Sequence, residues 1–283
     1  MENSLEQTIF RDTGIPLIGQ TAWGANICLF YETHRDLLES TAAFFAAGLK
    51  RHELCIWAVS DPVTPEDALA ALRIGVSGFE GYAATNDIQI TSGQTWNLKE
   101  NEFNLQRIAG SWHEKLNEAL ERGYEGLRIS GNASWLETNR WKEFREYELE
   151  LDRCVAGKEI ILLCTHSLGA KRALDIPDIV RAHHFTIYRR HHKWEFADTP
   201  DLLRGVEDWG RFERSRGGRF RGEDALTLRE KAVLAQIIQG ESSKEIGVKL
   251  GISPRTIEFH RANIMDKIGA KNVADLIRIV VEK

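Results

Sequence analysis

Two groups of side chains have types and spacings that could do chemistry. In the last quarter of the chain, a helical turn of about 100° per residue places Ile257, Ile264 and Ile268 on one stripe. Arg255, Glu258, Phe259 and Ala262 fall on the opposite face. In a DNA major groove an arginine can reach guanine, a glutamate can accept from a cytosine amine, and a phenyl ring can touch a thymine methyl. The same phenylalanine would equally serve as a packed residue at a domain or dimer contact. Lys244, Arg261 and Lys267 flank this face where cations neutralise phosphates, and Ser253, Thr256 and Asn263 complete the polar set.

The second group sits at or near the ends of apolar runs: Tyr31, Glu32, Arg128, Asn132, Trp135, Tyr147, Glu148 and His166. Three aromatic walls with a few orienting polar groups suit a small apolar ligand. The bland alternative makes Trp135 core and Arg128 with Glu148 a structural ion pair. Other chemistries have weaker support. Ser167 follows a strand-like run and precedes Gly169, as in a hydrolase nucleophile elbow, but Thr165 stands where the first glycine belongs. Tyr31 to Asp36 contains neither glycine nor lysine, so there is no phosphate loop, and no cofactor is expected. His183-His184 and His191-His192 flank a hairpin, where alternation lets at most one of each pair face a shared metal. Cys28, Cys55, Cys154 and Cys164 lack metal spacing and read as small buried hydrophobes, with redox sensing as the alternative.

The elements that must position these groups alternate along the chain. NICLFY, ELCIWAV, DIQIT, GLRIS, EIILLC, HFTIY and KWEF read as strands. Helices are predicted over 34–48, 65–74, 100–122, 137–156 and 176–182. Continuous apolar strands separated by helices imply an α/β fold, a doubly wound and mostly parallel sheet over residues 1–203. Residues 204–224 hold six arginines, five acids and five glycines, and read as a flexible linker. Residues 225–283 then carry the cap signals of four short helices. Thr227 with Glu230 and Ser242 with Glu245 form capping boxes, Gly240 and Gly251 close helices, and Ser253-Pro254 and Asn272 open two more.

Charge divides at the same place. Residues 1–203 carry 21 Lys and Arg against 30 Asp and Glu, net -9, while residues 204–283 carry 16 against 12, net +4. The acidic part would be repelled by nucleic acid and the basic part attracted. No apolar stretch is long enough to span a bilayer and the first residues, MENSLEQTIFRD, are polar, so a cytoplasmic location without membrane attachment is expected.

The segment LTLREKAVLAQIIQGESSKEIGVKLGISPRTIEFHRANIMDKIGAKN resembles the LuxR/FixJ-type (GerE-type) helix-turn-helix, through Thr227, Glu230, Gly240, Lys244-Glu245-Ile246, Thr256-Ile257-Glu258, His260 and Lys267-Ile268-Gly269. The resemblance implies double-stranded DNA as a partner, a reading helix over 254–268, and a homodimer made through the last helix. Gly247 stands where that family usually has alanine. The series ICLFYET, FFAAGLKRHELCIW, GYEGLRISGNASWL, YELELD, ILLCTH and AHHF is similar to the MEDS sensory domain over roughly 22–197, resting on Tyr31, Gly48-Leu49, Arg128, Gly131, Trp135, Tyr147-Glu148 and Cys164. That family implies a RecA/KaiC-like fold without its phosphate loop and a small effector related to simple hydrocarbons. Ala25-Asn26 and Asn132 depart from its pattern, which carries a histidine and an acid there. Together the two resemblances imply a transcription regulator rather than an enzyme. A hydrolase-like or protein-binding N-terminal domain, with DNA binding only for targeting, is the alternative.

Overall fold

The computed structural model describes residues 10–93, 98–99, 102–103, 105–131, 141–168, 179–180, 182–190, 193–197 and 200–282. The chain divides into two compact units. A sheet unit comprises Ile9–Ile179 with Phe185–Phe196, and a helical unit comprises Val180–His184 with Ala197–Lys283.

The sheet unit opens with a short antiparallel pair, β1 (Arg11–Asp12) and β2 (Gln20–Thr21). Its main strands are β3 (Asn26–Tyr31), β4 (Leu54–Val59), β5 (Ile88–Ser92), β8 (Leu127–Gly131), β9 (Ile160–Ser167), β10 (Phe185–Arg190) and β11 (Lys193–Phe196). A second small antiparallel pair, β6 (Leu98–Lys99) and β7 (Glu102–Phe103), stands apart. The seven-stranded sheet has the order β11-β10-β3-β9-β8-β4-β5, parallel throughout except for the β10–β11 hairpin at one edge. Every residue of β3 and β4 is buried, as expected for strands covered on both faces.

Helix α1 (His34–Leu49) begins where Thr33 accepts from the Asp36 amide at 3.1 Å. Its Phe45 meets Trp57 of β4 with ring centroids 5.6 Å apart. Helix α2 (Pro65–Gly75) starts with a Thr64–Asp67 capping box and proline at its first position, and α3 (Phe79–Ala84) follows it. Helices α4 (Leu105–Glu121) and α5 (Trp141–Val155) serve the other face. There Trp112, Leu116, Tyr147 and Leu151 join Cys28, Phe30, Ile129, Leu162 and Cys164 in one apolar cluster. Cys55 is fully buried, as its apolar run suggested, and that burial pushes its thiol up. The sequence patterns for α3 and for the two small hairpins are too short to stand out, and these elements were not expected.

The helical unit contains α6 (Pro200–Arg216), α7 (Leu228–Ile238), α8 (Ser243–Leu250), α9 (Pro254–Ile268) and α10 (Val273–Val281). The four expected helices are present, but α6 corrects the reading of 204–224 as a flexible linker. Its glycine and arginine content concealed a helix with an apolar side: Trp209 is 3% exposed and joins the core formed by Val233, Leu234, Ile246 and Ile264. Gly205 brings α6 close to its neighbours, since a β-carbon there would lie 2.6 Å from Leu250 Cδ2 and 3.0 Å from Ala232 Cβ. No described helix is long and apolar enough to cross a membrane.

Candidate nucleic-acid interface and sheet site

In the helical unit the turn between α8 and α9 is held by local hydrogen bonds. At the start of α8, the Glu245 amide donates to Ser242 Oγ at 3.3 Å, and the Glu245 carboxylate accepts from the Ser242 amide at 2.8 Å. Gly251, with φ of 66°, ends α8, and the Ile252 amide donates to the Gly247 carbonyl at 3.0 Å. Ser253 then accepts from the Thr256 amide at 3.0 Å and opens α9. Gly247 lies in the crook of this turn, where a β-carbon would come 2.8 Å from the Ile252 carbonyl oxygen.

Helix α9 buries Thr256, Ile257, His260, Asn263, Ile264 and Ile268. Glu258 and Ala262 are exposed, Arg255, Phe259 and Arg261 are half-buried, and Lys244 is exposed on α8. The outward face is therefore the one expected from periodicity, but three residues assigned to DNA are placed otherwise. Thr256 and Asn263 are 0% and 2% exposed, on the core side of the helix. Lys267 donates to both carboxylate oxygens of buried Glu230, at 2.9 and 2.8 Å, so its charge is matched inside the unit. Ser253 has its hydroxyl engaged in capping.

Phe259 is covered in part by a residue that sequence reasoning left to hairpin packing. The His184 ring stacks on it, with centroids 3.9 Å apart and planes 9° from parallel. Arg229 Nη1 donates to the His184 carbonyl at 2.9 Å. Burial, then the charges of Arg229 and Lys267, push His260 down to about 3, and burial with His260, His183, Arg255 and Arg229 holds His184 well below the usual imidazole range. His183 and His184 are both buried, while His191 and His192 lie outside the described residues.

In the sheet unit Arg128 stands apart from the other described ligand candidates on its strand layer. Alternation along a strand sends Ile129 to the α4–α5 face and Arg128 to the α1 face. Arg128 is fully buried there. Its Nε donates to Glu53 Oε2 at 2.6 Å, Nη1 to the Phe44 carbonyl at 2.7 Å, and Nη2 to the Asp12 carbonyl at 2.9 Å and to Glu53 Oε1 at 3.2 Å. It is a structural residue paired with Glu53, which corrects its assignment to a ligand pocket beside Glu148. The signal was present but needed the sheet order: β8 pairs with β4, Arg128 is level with Cys55, and Glu53 is two residues earlier and thus on the same face.

Tyr147 and His166 share the opposite face. Tyr147 is in the apolar cluster with Phe30, whose ring centroid lies 5.7 Å from that of His166. Tyr31 is buried at the carboxyl end of β3, level with Ser167, and Glu32 beside it is exposed. Asn132, Trp135 and the Glu148 side chain lie outside the described residues. Ser167 is the last residue of β9 and still paired in the strand, so the sharp turn of a nucleophile elbow does not begin before it. Near the same end Arg189 meets Asp36 at 3.4 Å and Glu39 at 2.7 Å, an ion cluster that sequence reading missed.

Comparison with known proteins divides the chain in a similar way. Residues 224–280 match the model of the bacterial regulatory proteins of the luxR family. The transcriptional regulatory protein UhpA of Escherichia coli (strain K12) is 46% identical over 56 residues, 20% of this chain and 29% of that protein. The transcriptional regulatory protein FixJ of Rhizobium meliloti (strain 1021) is 45% identical over 56 residues, 20% of this chain and 28% of that protein. The chain thus spans less than a third of the length of these curated relatives. Among solved structures, the KaiC-like protein PH0186 from Pyrococcus horikoshii OT3 is similar at a TM-score of 0.47 and 16% identity, covering 64% of this chain and 80% of that one. Residues 27–184, more than half of the chain, match the model of the MEthanogen/methylotroph, DcmR Sensory domain, and the protein belongs to this MEDS family.

Proposed function

We propose that the protein is a sequence-specific, DNA-binding transcription regulator, that α9 reads the major groove, and that the MEDS region senses a small hydrocarbon-derived ligand or a partner. The observation that carries this reading is the outward face of α9. Arg255, Glu258, Phe259, Arg261 and Ala262 lie on a helix whose entry is fixed by capped turns, with Lys244 at the start of α8. Arg255, Glu258 and Phe259 read bases, and Lys244 and Arg261 hold phosphates. The likeness of residues 224–280 to named transcriptional regulators supports the same assignment.

The sensory part runs to the end of β11, and α6 joins the reading part. The effector binds near the carboxyl ends of the sheet strands, where Tyr31 and His166 lie, with Tyr147 in the apolar cluster that holds Phe30. The protein acts in the cytoplasm, as a homodimer on DNA and without catalysis. DNA binding to its own upstream region across a salt series tests the first half. Arg255→Ala should relax sequence preference, while Lys244→Ala should weaken binding uniformly and lower the salt slope by about one. Equal effects of both variants on all sequences would refute base reading. Labelling of Ser167 by a hydrolase-directed probe would instead favour a catalytic N-terminal domain.

A further inference from the structure

We infer that residues 182–184 form a latch on the DNA-reading helix: the His184 ring occupies the face of Phe259 that a base contact needs, so α9 engages DNA only after that ring leaves. The inference rests on the proposed reading role of α9. It adds a blocked state and the residue that does the blocking.

Three features of the helical unit carry it. The His184 and Phe259 rings are nearly parallel at 3.9 Å, so no base methyl can approach the phenyl ring from that side. The segment is held at its backbone as well as by its ring, because Arg229 of α7 donates to the His184 carbonyl at 2.9 Å. The fit is dry: His184 is 1% exposed, and His260 beside Phe259 is 0% exposed. A histidine next to strand β10 thus uses its ring on the one outward aromatic of the reading helix, where a solvent-facing loop would be expected to leave both rings wet.

The surroundings make the latch sensitive to acid. Among the described residues, the groups whose charge acts on His184 are Arg229 from α7, Arg255 and His260 from α9, and His183 from its own segment, all cationic or able to become so. A proton on His184 is therefore disfavoured while the ring is docked, and ordinary once it is released. Proton binding favours the released state as pH falls through the usual imidazole value of 6.5.

The test uses the full chain and a fluorescent duplex of its own upstream region, with anisotropy read at fixed salt at about pH 8 and pH 6. His184→Ala should tighten binding at the higher pH by up to about tenfold, the scale of one aromatic stack. Wild type should tighten on acidification more than His184→Phe, which keeps a stacking ring but cannot take a proton. A folded His184→Ala chain that binds no more tightly than wild type overturns the latch, as does a His184→Phe chain with the full pH response of wild type. Carbethoxylation of His184, followed by mass spectrometry, separates this from the reading role. Slow labelling in wild type and fast labelling in Phe259→Ala supports the latch even if no chain binds DNA, which would sink the DNA-reading proposal alone. Equal labelling in the two overturns the latch.

Discussion

Replacing Arg128 by methionine should destabilise the sheet unit by about 3 kcal/mol, near the lower end of the range for breaking a buried ion pair from one side. The figure follows from what remains. Glu53 is 0% exposed and would lose two hydrogen bonds, and the Phe44 and Asp12 carbonyls would lose one each. Among the described residues Arg11 is the other cation near Glu53, and its Nη1 stands 4.0 Å from Glu53 Oε1, too far to replace a bond of 2.6 Å. Burial already holds the Glu53 carboxyl above its usual range, against the charge and hydrogen bonds of Arg128, so its loss raises that carboxyl further. A carboxyl raised by folding binds more protons in the folded state, and its stability contribution is lost as pH rises through the folded value. The deficit of Arg128→Met should therefore shrink as pH falls from about 7 to about 5. Adding Glu53→Leu should restore most of the loss, because removing both charges spares their desolvation. Hydrogen exchange of the β4 and β8 amides in the full chain reads the local opening energy. A deficit under about 1 kcal/mol, or no recovery in the double variant, would refute the structural role and return Arg128 to the list of ligand contacts.

Lys267→Met should lower the stability of the helical unit by about 3 kcal/mol, because Glu230 is left buried, while the salt slope of DNA binding stays unchanged; thermal unfolding and a salt titration read the two outcomes. Trp209→Ala should cost the same unit about 3–5 kcal/mol, and an insensitive melting curve would mean that α6 is dispensable to the core. Below pH 6.5 the helical unit should lose stability until pH reaches about 3, since His260 takes up a proton in the unfolded chain before it does so when buried, and His260→Gln should reduce that slope in acid titrations followed by circular dichroism.

The sheet was largely legible in the sequence because its strands are continuous apolar runs, and β3 and β11 begin and end where NICLFY and KWEF do. The bundle was legible through its caps: Thr227, Ser242, Ser253 and Asn272 each accept the amide hydrogen bond that their type and position promised. What failed depended on distant partners. Lys267 looks like a phosphate ligand until Glu230 is seen 37 residues away, and Arg128 looks like a pocket residue until the strand order brings Glu53 beside it. Helix α6 was missed because glycine is a breaker by propensity, and only close approach to Ala232 and Leu250 makes Gly205 useful inside a helix. Phe259 faces outward as periodicity required, and nothing in the reading of one helix could reveal the ring of His184 against it.

Gly247 gives the turn a gauge of its own. Alanine there would press its methyl into the Ile252 carbonyl oxygen, 2.8 Å away, so an alanine-bearing helix-turn-helix must stand slightly more open at this corner. The α9 axis would shift with it, and a few tenths of an ångström at the corner grow along a helix about 22 Å long. Grafting the outward residues of α9 onto an alanine-bearing relative would therefore carry over the proposed base contacts without their spacing. A faithful transplant has to move the glycine with them.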